Sequence, residues 1–391
     1  CPNCGKNTKW QLSRLFSYGT SKNEELKSLA LFARHNPQPL FRVTQEGMIN
    51  EANPASETLL QDKLISGRNL FDYLPEFKHL DFQKIIAGEE EIHFVTHIGD
   101  HYYNFVLKGV RELKTVHIYG NNITEIKLAE KKKIRKQAEA IDESIRYAWY
   151  IQKARIPDDT FVKSLFPSSF IFFRPRDIVS GDFYWVRQIG DLKIAAVADC
   201  TGHGVPGAMI SMLGVSLLNE IILRDRVTQP EKVLNILRKR LISSLASMGS
   251  DTGLSDGMDI ALMVVDTKDK IYRFAGAFNP LIICRNGENL ILKADRMPVG
   301  KYVVDKGSFT VKEEKMIPGD RIYLFTDGYQ DQFGKDNYKK FSSKAFRQLI
   351  ADTHFLPMDE ASRKFETTFD NWKQNTEQID DVTVMCIESN F

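Results

Sequence analysis

A stretch of sequence without helix breakers limits how this chain can fold. Residues 126–155 contain neither proline nor glycine and are rich in Lys, Glu, Ala, Ile and Gln, a composition that favours one long helix. Pro157 follows, so we predict that the helix ends near Ile156. Strand-like patterns occupy the sequence on both sides. We therefore predict an α+β protein in which a helical linker, residues 128–156, joins two domains.

The apolar residues of this helix recur at spacings of four and three, which is the pattern of a coiled-coil seam. The positions concerned are Ile134, Ala138, Ile141, Ile145, Ala148 and Gln152. We expect the linker to pair with its copy in a homodimer; the alternative is a helix whose apolar stripe packs on its own domain. The helix contains no histidine, which argues against a sensor histidine kinase.

Charge and hydropathy exclude several kinds of partner. The chain of 391 residues has 53 basic and 51 acidic side chains, a net charge of +2, which does not call for nucleic acid or an anionic membrane. Its longest uninterrupted apolar run, residues 260–265, is far shorter than the roughly 20 residues of a membrane helix. We expect no membrane span and a cytoplasmic location. Because residue 1 is cysteine, an upstream membrane region is left open.

The five cysteines do not form a disulfide framework, because they are odd in number and scattered along the chain, which fits a reducing compartment. Cys1 and Cys4 have the spacing of half a zinc knuckle within an N-terminal segment, residues 1–35. Tetrahedral zinc needs four ligands, so this pair indicates a truncated ribbon or a metal shared between two chains.

Residues 36–127 predict a small antiparallel sheet with helices in the middle of the segment. The strand-like runs are residues 40–43, 48–52, 91–98, 102–107 and 116–121. A short helix over residues 54–60 begins with proline at its first position, and Gly99-Asp100 has the composition of a hairpin turn. The predicted domain is compact and mixed.

This segment resembles a PAS sensor domain. The resemblance depends on Glu46-Gly47, Asn50, Ala52-Asn53 and Asn122-Ile123-Thr124-Glu125. It implies a sensor whose ligand is unknown. No cysteine lies between Cys4 and Cys200, which excludes a flavin–thiol photosensor. Six of the eight histidines lie between positions 35 and 117, where they are either haem ligands or polar strand residues on a solvated face.

Aspartates stand at the ends of apolar strands in residues 157–391. They are Asp182, Asp199 and Asp327, followed by the pair Asp380-Asp381 directly before the strand-like residues 382–385. Glycines at positions 181, 202 and 328 allow tight turns in which main-chain carbonyls share in coordination. Carboxylate oxygens without a Cys or His cluster suit hard ions such as Mg²⁺ or Mn²⁺. The pattern predicts a metal site.

Further residues near these aspartates each have more than one possible role. His203 either donates a proton to a leaving oxygen or caps the turn before the next helix. Arg174 and Arg176 either clamp a phosphate or belong to a solvated basic turn. Asp259, with Asp256 nearby, serves a third metal or a switch region, or merely ends a loop.

Four segments together resemble the bacterial SpoIIE-like serine phosphatases of the sporulation and stress-response type, within the metal-dependent PPM superfamily. The segments are 180–185 (SGDFYW), 199–208 (DCTGHGVPGA), 319–328 (GDRIYLFTDG) and 380–383 (DDVT). The resemblance covers essentially all of residues 157–391. It implies an α-β-β-α sandwich with two Mn²⁺ or Mg²⁺ ions at one edge of the sheets.

The resemblance also implies roles for individual residues. Asp199 would bridge both metals, Cys200 would offer its main-chain carbonyl, and Asp182 would bind directly or through water. Asp327 and Asp380 would complete one shell, with Asp381 as the alternative to Asp380. Two such ions activate a water for attack on phosphorus, so no covalent protein nucleophile is needed.

The implied substrate is phosphoserine or phosphothreonine on a regulatory partner, such as an anti-sigma factor antagonist. We expect the PAS-like domain to regulate this activity through the linker, by biasing residues 151–166. The competing hypothesis is a non-catalytic scaffold whose phosphatase domain has lost its metals.

Overall fold

The computed structural model describes residues 27–28, 31–88, 91–246, 256–302, 307–335 and 339–390. The chain divides into two compact units, Cys1–Ala138 and Glu139–Phe391. The cysteine pair at positions 1 and 4 lies outside the described residues. The division falls inside the long helix that the sequence predicts.

The first unit is a five-stranded antiparallel sheet with short helices between its second and third strands. The strands are β1 (Leu40–Thr44), β2 (Ile49–Ala52), β3 (Ile92–Ile98), β4 (His101–Val110) and β5 (Thr115–Asn122). The helices are α1 (Pro54–Leu60), α2 (Leu70–Tyr73) and α3 (Phe82–Ala87), with 3-10 turns at Pro75–His79 and Arg111–Leu113. The strand order is β2-β1-β5-β4-β3, and β3 pairs with β4 through the predicted hairpin turn.

Asn53 explains why α1 begins where the sequence predicts. Its side-chain oxygen accepts from the Ser56 N–H at 3.0 Å, as an N-cap does, while its amide donates to the Gln38 carbonyl at 2.8 Å. Pro54 then occupies the first helical position, where its missing N–H is not needed. The chain entering β1 and the start of α1 are thereby held together by one buried side chain.

The linker forms one uninterrupted helix, α4 (Thr124–Lys153), as predicted. Ile134 and Ile141 on the predicted seam are 59% and 61% exposed in the single chain. Gln152, which the spacing placed at the end of that seam, is instead 4% exposed and hydrogen-bonded inside the second unit. The seam prediction was therefore wrong at this position, because the polar end of Gln152 has partners in its own chain.

Two antiparallel sheets form the centre of the second unit. The first has the order β14-β10-β9-β8-β7 with β13 paired to β9, and the second has the order β12-β11-β15-β16-β6. The first sheet comprises β7 (Phe183–Ile189), β8 (Leu192–Cys200), β9 (Gly257–Asp266), β10 (Ile271–Ala277), β13 (Val299–Gly300) and β14 (Lys312–Lys315). The second comprises β6 (Ser169–Arg174), β11 (Leu281–Arg285), β12 (Glu288–Leu292), β15 (Arg321–Phe325) and β16 (Val382–Glu388).

Helices cover the outer faces of both sheets, so the layers follow the predicted α-β-β-α order. The covering helices are α6 (Gly204–Leu218), α7 (Pro230–Ala246), α8 (Gly328–Asp331), α9 (Ser343–Thr353) and α10 (Met358–Lys373). Helix α5 (Asp159–Leu165) instead contributes Val162 and Leu165 to the core between the sheets. One buried apolar cluster lies between the sheets, a second between the first sheet and α6 and α7, and a third between the second sheet and α9 and α10. Strands buried on both faces explain the nearly continuous apolar run in β9.

Helix α6 continues as a wider π-helical turn, Asn219–Arg224. Asn219 accepts a hydrogen bond from the Trp185 indole at 3.0 Å at this point. By length and composition, Gly204–Arg224 is also the one helix among the described residues that could cross a membrane. Its packing against β8 and α7 accounts for that composition, since most of its apolar side chains lie in the core.

Candidate functional site

Glycines allow the four aspartate-bearing loops to meet at one edge of the sandwich. A Cβ added to Gly181 would lie 2.7 Å from the Gly202 carbonyl oxygen, and one added to Gly207 would lie 2.1 Å from the same oxygen. A Cβ at Gly328 would lie 2.0 Å from the Asp381 carbonyl oxygen. Real Cβ atoms do not approach so closely, so each contact requires glycine. The segments that share sequence resemblance are thus in direct main-chain contact.

Asp182 joins three of these segments through its side chain. It is 1% exposed, and its Oδ2 accepts hydrogen bonds from the hydroxyls of Thr326 and Thr383, each at 2.7 Å. Burial raises the pKa of Asp182 well above its usual value, although both hydroxyl bonds favour the charged form. Sequence reasoning missed both threonines, even though each lies beside a predicted aspartate.

Asp199 lies at the end of β8, opposite Asp259 on β9. Burial is the main cause that raises the pKa of Asp199, and repulsion from neighbouring carboxylates adds to it. Burial and the charge of Asp327 raise the pKa of Asp259 to about 7. Burial also raises the pKa values of Asp327 and Asp380, and a hydrogen bond connects Asp327 to Asp199. These carboxylates share one buried environment and repel one another.

The charge balance of this cluster is the feature that fits a metal. Every charged group that shifts the pKa of Asp199 is another carboxylate. Lys340 lowers the pKa of Asp327, and Arg176 and His203 lower that of Asp380, but burial outweighs these charges and the pKa values of all three aspartates stay raised. Buried acidic groups without a cation are costly, whereas a divalent ion would neutralise them. In the described part of the chain, however, no three Asp, Glu, His or Cys side chains are already gathered as a ligand group.

The structure gives Asp380 and Asp381 different surroundings. Asp381 is buried, and its two carboxylate oxygens accept the N–H groups of Arg176 at 2.7 Å and Gly181 at 2.8 Å. Asp380 uses one oxygen to accept the N–H of Asp381 at 2.8 Å and is less deeply buried. Asp381 therefore ties two loops together, while Asp380 retains oxygen atoms that could bind a ligand.

The basic residues predicted near the site also have different surroundings in the structure. His203 precedes α6 but makes no capping bond with its side chain; its Nδ1 lies 3.1 Å from Asp177 Oδ2. Arg174 pairs with Asp370 and stacks on the rings of Phe172 and Phe369, which overturns its proposed role as a phosphate clamp.

Arg176 remains exposed near the site. It donates from Nη1 to the Ile379 carbonyl at 3.0 Å, which leaves its other guanidinium donors available. The charge of Arg176 also lowers the pKa of Asp380.

The linker reaches this site within the second unit. The Gln152 amide donates to the Ser180 carbonyl at 2.5 Å and to Ser211 Oγ at 2.9 Å, while its oxygen accepts the Ser180 N–H at 3.1 Å. Ser180 is two residues before Asp182. The heptad pattern did not predict the contact between Gln152 and Ser180, because a glutamine at a seam position does not indicate which residue it bonds to.

The second unit is similar to proteins of known family and structure. The sequence model of the family "Stage II sporulation protein E (SpoIIE)" matches residues 191–390. The solved structure of the SiaA PP2C domain of Pseudomonas aeruginosa is 31% identical, with a TM-score of 0.58, and the alignment covers 64% of this chain and 98% of that one. A comparison with curated proteins found no match.

Two other solved structures are similar at lower identity. The RsbU and RsbW domains of Rv1364c from Mycobacterium tuberculosis are 18% identical, with a TM-score of 0.46, over 56% of this chain and 59% of that one. The PP2C phosphatase domain of Bacillus subtilis SpoIIE, with a fragment of its regulatory domain, is 19% identical, with a TM-score of 0.44, over 56% of this chain and 62% of that one.

Proposed function

Because the chain belongs to the SpoIIE family of PP2C-type serine phosphatase domains, we propose that it hydrolyses phosphoserine or phosphothreonine on a regulatory partner protein with two divalent cations. The observation that carries the proposal is the group of buried, mutually repelling aspartates at the edge of the sandwich, whose pKa values stay raised in spite of the cationic side chains around them. A phosphoryl group is itself anionic, so this site could accept one only when cations are present.

The residues that would hold the cations follow the family motifs. Asp199, the main-chain carbonyl of Cys200, and the carboxylates of Asp182, Asp327 and Asp380 would hold the two cations. When bound, Mn²⁺ or Mg²⁺ would acidify a water and neutralise charge on the phosphoryl group. Asp259, opposite Asp199, is the additional candidate ligand. Asp381 is the weaker alternative because both of its oxygens already accept main-chain N–H groups.

The side chains of the protein then serve the reaction directly. Hydrolysis forms a bond from water oxygen to phosphorus and breaks the bond from phosphorus to the serine oxygen, which must gain a proton. His203 is our candidate donor, because Asp177 engages Nδ1 and leaves Nε2 for the substrate. The charge of His203 lowers the pKa of Asp380, which indicates that the imidazole ring is near the carboxylate cluster. Arg176 is our candidate contact for a phosphate oxygen.

The regulatory part of the proposal is that the first unit is a PAS-like sensor that acts through α4. Its support is the mixed antiparallel domain with helices between the second and third strands, and the bonds from Gln152 to Ser180. Exposure of Ile134 and Ile141 supports pairing of α4 with a second copy. Removal of residues 1–125 is expected to change turnover or metal affinity. An unaltered truncated enzyme would count against regulation.

The partner that we propose is a phosphorylated regulatory protein of the anti-sigma factor antagonist type, on the basis of family resemblance. A second candidate function is a non-catalytic scaffold. The observation in its favour is that the described residues hold no group of three ligands already gathered for a metal.

Hydrolysis of p-nitrophenyl phosphate by the whole chain, with and without manganese, separates these functions. We expect manganese-dependent turnover that Asp199→Asn abolishes. The matched control is Asp191→Asn, an exposed position in the hairpin that begins β8, which should retain turnover. If Asp199→Asn stays active, the assigned site is wrong. If the native chain is inactive, calorimetric titration with manganese tells an autoinhibited enzyme, which binds it, from a scaffold, which does not.

A further inference from the structure

A cleft of about 470 Å³ opens beside the aspartate cluster, and the reaction described above assigns no role to its other lining residues. Its lining includes Asp259 and Asp327, Arg347 of α9, and apolar side chains from β11 and β12. A volume of this size falls in the range of ligand sites. The cleft is therefore continuous with the proposed catalytic centre and large enough for several side chains of a polypeptide.

The apolar wall is partly open to solvent. Phe278 is 40% exposed, and Ile291 on β12 is also exposed, while Ile282 and Phe346 form the buried floor. The backbone of Phe278 has φ of 53°, a left-handed conformation that bulky residues rarely adopt. The turn that holds it is fixed to the site, because the Asn279 amide donates to the Asp259 carbonyl at 3.2 Å. Strain of this kind is concentrated at functional positions.

Arg347 is the cation of this cleft. Among the described residues its guanidinium has no ion-pair or hydrogen-bond partner, whereas its main-chain carbonyl accepts from the Asn289 amide at 2.8 Å. The side chain thus projects from a fixed helix without a partner of its own.

We propose that this cleft seats the substrate polypeptide next to the phosphoserine, and that Arg347 pairs with an acidic side chain of the substrate. The inference rests on the proposed phosphatase function and adds to it a class of substrate: proteins with an Asp or Glu close to the phosphorylated serine. The phosphate itself belongs beside the aspartates. The negative charge expected beside Arg347 is supplied by an acidic residue in the sequence of the substrate protein.

Phosphoserine peptides of matched sequence test this assignment. One carries three glutamates on the C-terminal side of the phosphoserine, a second carries them on the N-terminal side, and the other two carry glutamine or lysine at all of these positions. For the native chain with manganese, we expect kcat/KM for one glutamate peptide to exceed that for the glutamine peptide about tenfold, through KM, as for one charge-assisted contact.

Arg347→Glu should abolish this preference and favour the lysine peptide, and Arg347→Ala should reduce the ratio to about one. Because each ratio is measured on one enzyme, a general loss of activity does not imitate the result. Lys344→Glu is the matched control: it makes the same change of charge on α9, outside the cleft, and should keep the glutamate preference.

Two results would overturn the inference while leaving the phosphatase function intact. They are native turnover of p-nitrophenyl phosphate without any preference for glutamate, or a preference that survives in Arg347→Glu. Absence of turnover with every substrate would instead refute the proposed function, and the substrate class with it.

Discussion

Replacement of Gln152 by leucine removes the side-chain amide that joins α4 to the loop before Asp182. In the native chain this amide satisfies both the N–H and the carbonyl of Ser180, at 3.1 and 2.5 Å. Leucine has a similar length but can donate and accept nothing. Ser180 is completely buried, so water does not take over these bonds. Ser211 keeps its other bond, to the Ala208 carbonyl at 2.9 Å.

The expected loss of stability follows from the two main-chain groups of Ser180. Its N–H loses its partner, and its carbonyl keeps only a weak contact of 3.4 Å with the Ser211 hydroxyl, which already donates to Ala208. Each buried unsatisfied group lowers the free energy of unfolding by about 1–3 kcal/mol. Burial of the leucine side chain offsets about 1–2 kcal/mol of this total. We expect a net loss of about 2–4 kcal/mol in the second unit. At about 2–4 °C per kcal/mol for a unit of this size, its Tm should fall by about 4–16 °C.

Tryptophan fluorescence during thermal unfolding can measure this change, because Trp149, Trp185 and Trp372 all lie in the second unit. The matched control is Gln137→Leu, on the exposed part of the same helix, which should unfold like the native chain. We also expect Gln152→Leu to need more manganese for half-maximal hydrolysis of p-nitrophenyl phosphate. Equal midpoints for the two variants, with equal manganese dependence, would refute the reasoning.

Three further predictions concern the proton donor, the carboxylate cluster and the linker. His203→Ala should slow hydrolysis of a phosphoserine peptide about 100-fold. Hydrolysis of p-nitrophenyl phosphate should slow far less, because nitrophenolate leaves without a proton. Equal losses with the two substrates would exclude His203 as the donor. The raised pKa of Asp259, about 7 in the fold, implies that the metal-free chain loses up to about 4 kcal/mol of stability as the pH rises from about 4 to 7. Denaturant unfolding at pH 5 and 8 measures this loss, which added manganese should reverse; a metal-free chain that is more stable at pH 8 would contradict it. Ile141→Asp should abolish self-association in sedimentation equilibrium, whereas Glu139→Asp should not; a variant that still associates would exclude the seam.

Local sequence signals predicted the secondary structure well. Helix α1 spans the predicted residues, because a proline at its first position and an asparagine cap are local features. The long helix α4 was predicted for a similar reason, since an absence of breakers can be seen without any knowledge of the fold. The aspartates of the site were found because each directly follows or precedes an apolar strand.

Partners distant in sequence could not be predicted. Arg174 pairs with Asp370, which lies 196 residues away, so its basic neighbourhood suggested a phosphate contact that the fold does not provide. The difference between Asp380 and Asp381 likewise depends on the N–H groups of Arg176 and Gly181, some 200 residues earlier. The heptad pattern assigned Gln152 to a seam because spacing specifies a helix face but not which partner covers that face.

The main-chain contacts at Gly181, Gly207 and Gly328 determine where this protein can vary over evolution. A side chain at any of these positions would meet a carbonyl oxygen of a neighbouring loop, and no rotamer change can move a carbonyl aside. Substitutions of these three glycines would therefore disturb the geometry of the aspartate edge, which leaves that edge little room to vary. The side chains that line the neighbouring cleft are not held by such main-chain contacts, so they can change while the geometry of the aspartate edge is kept.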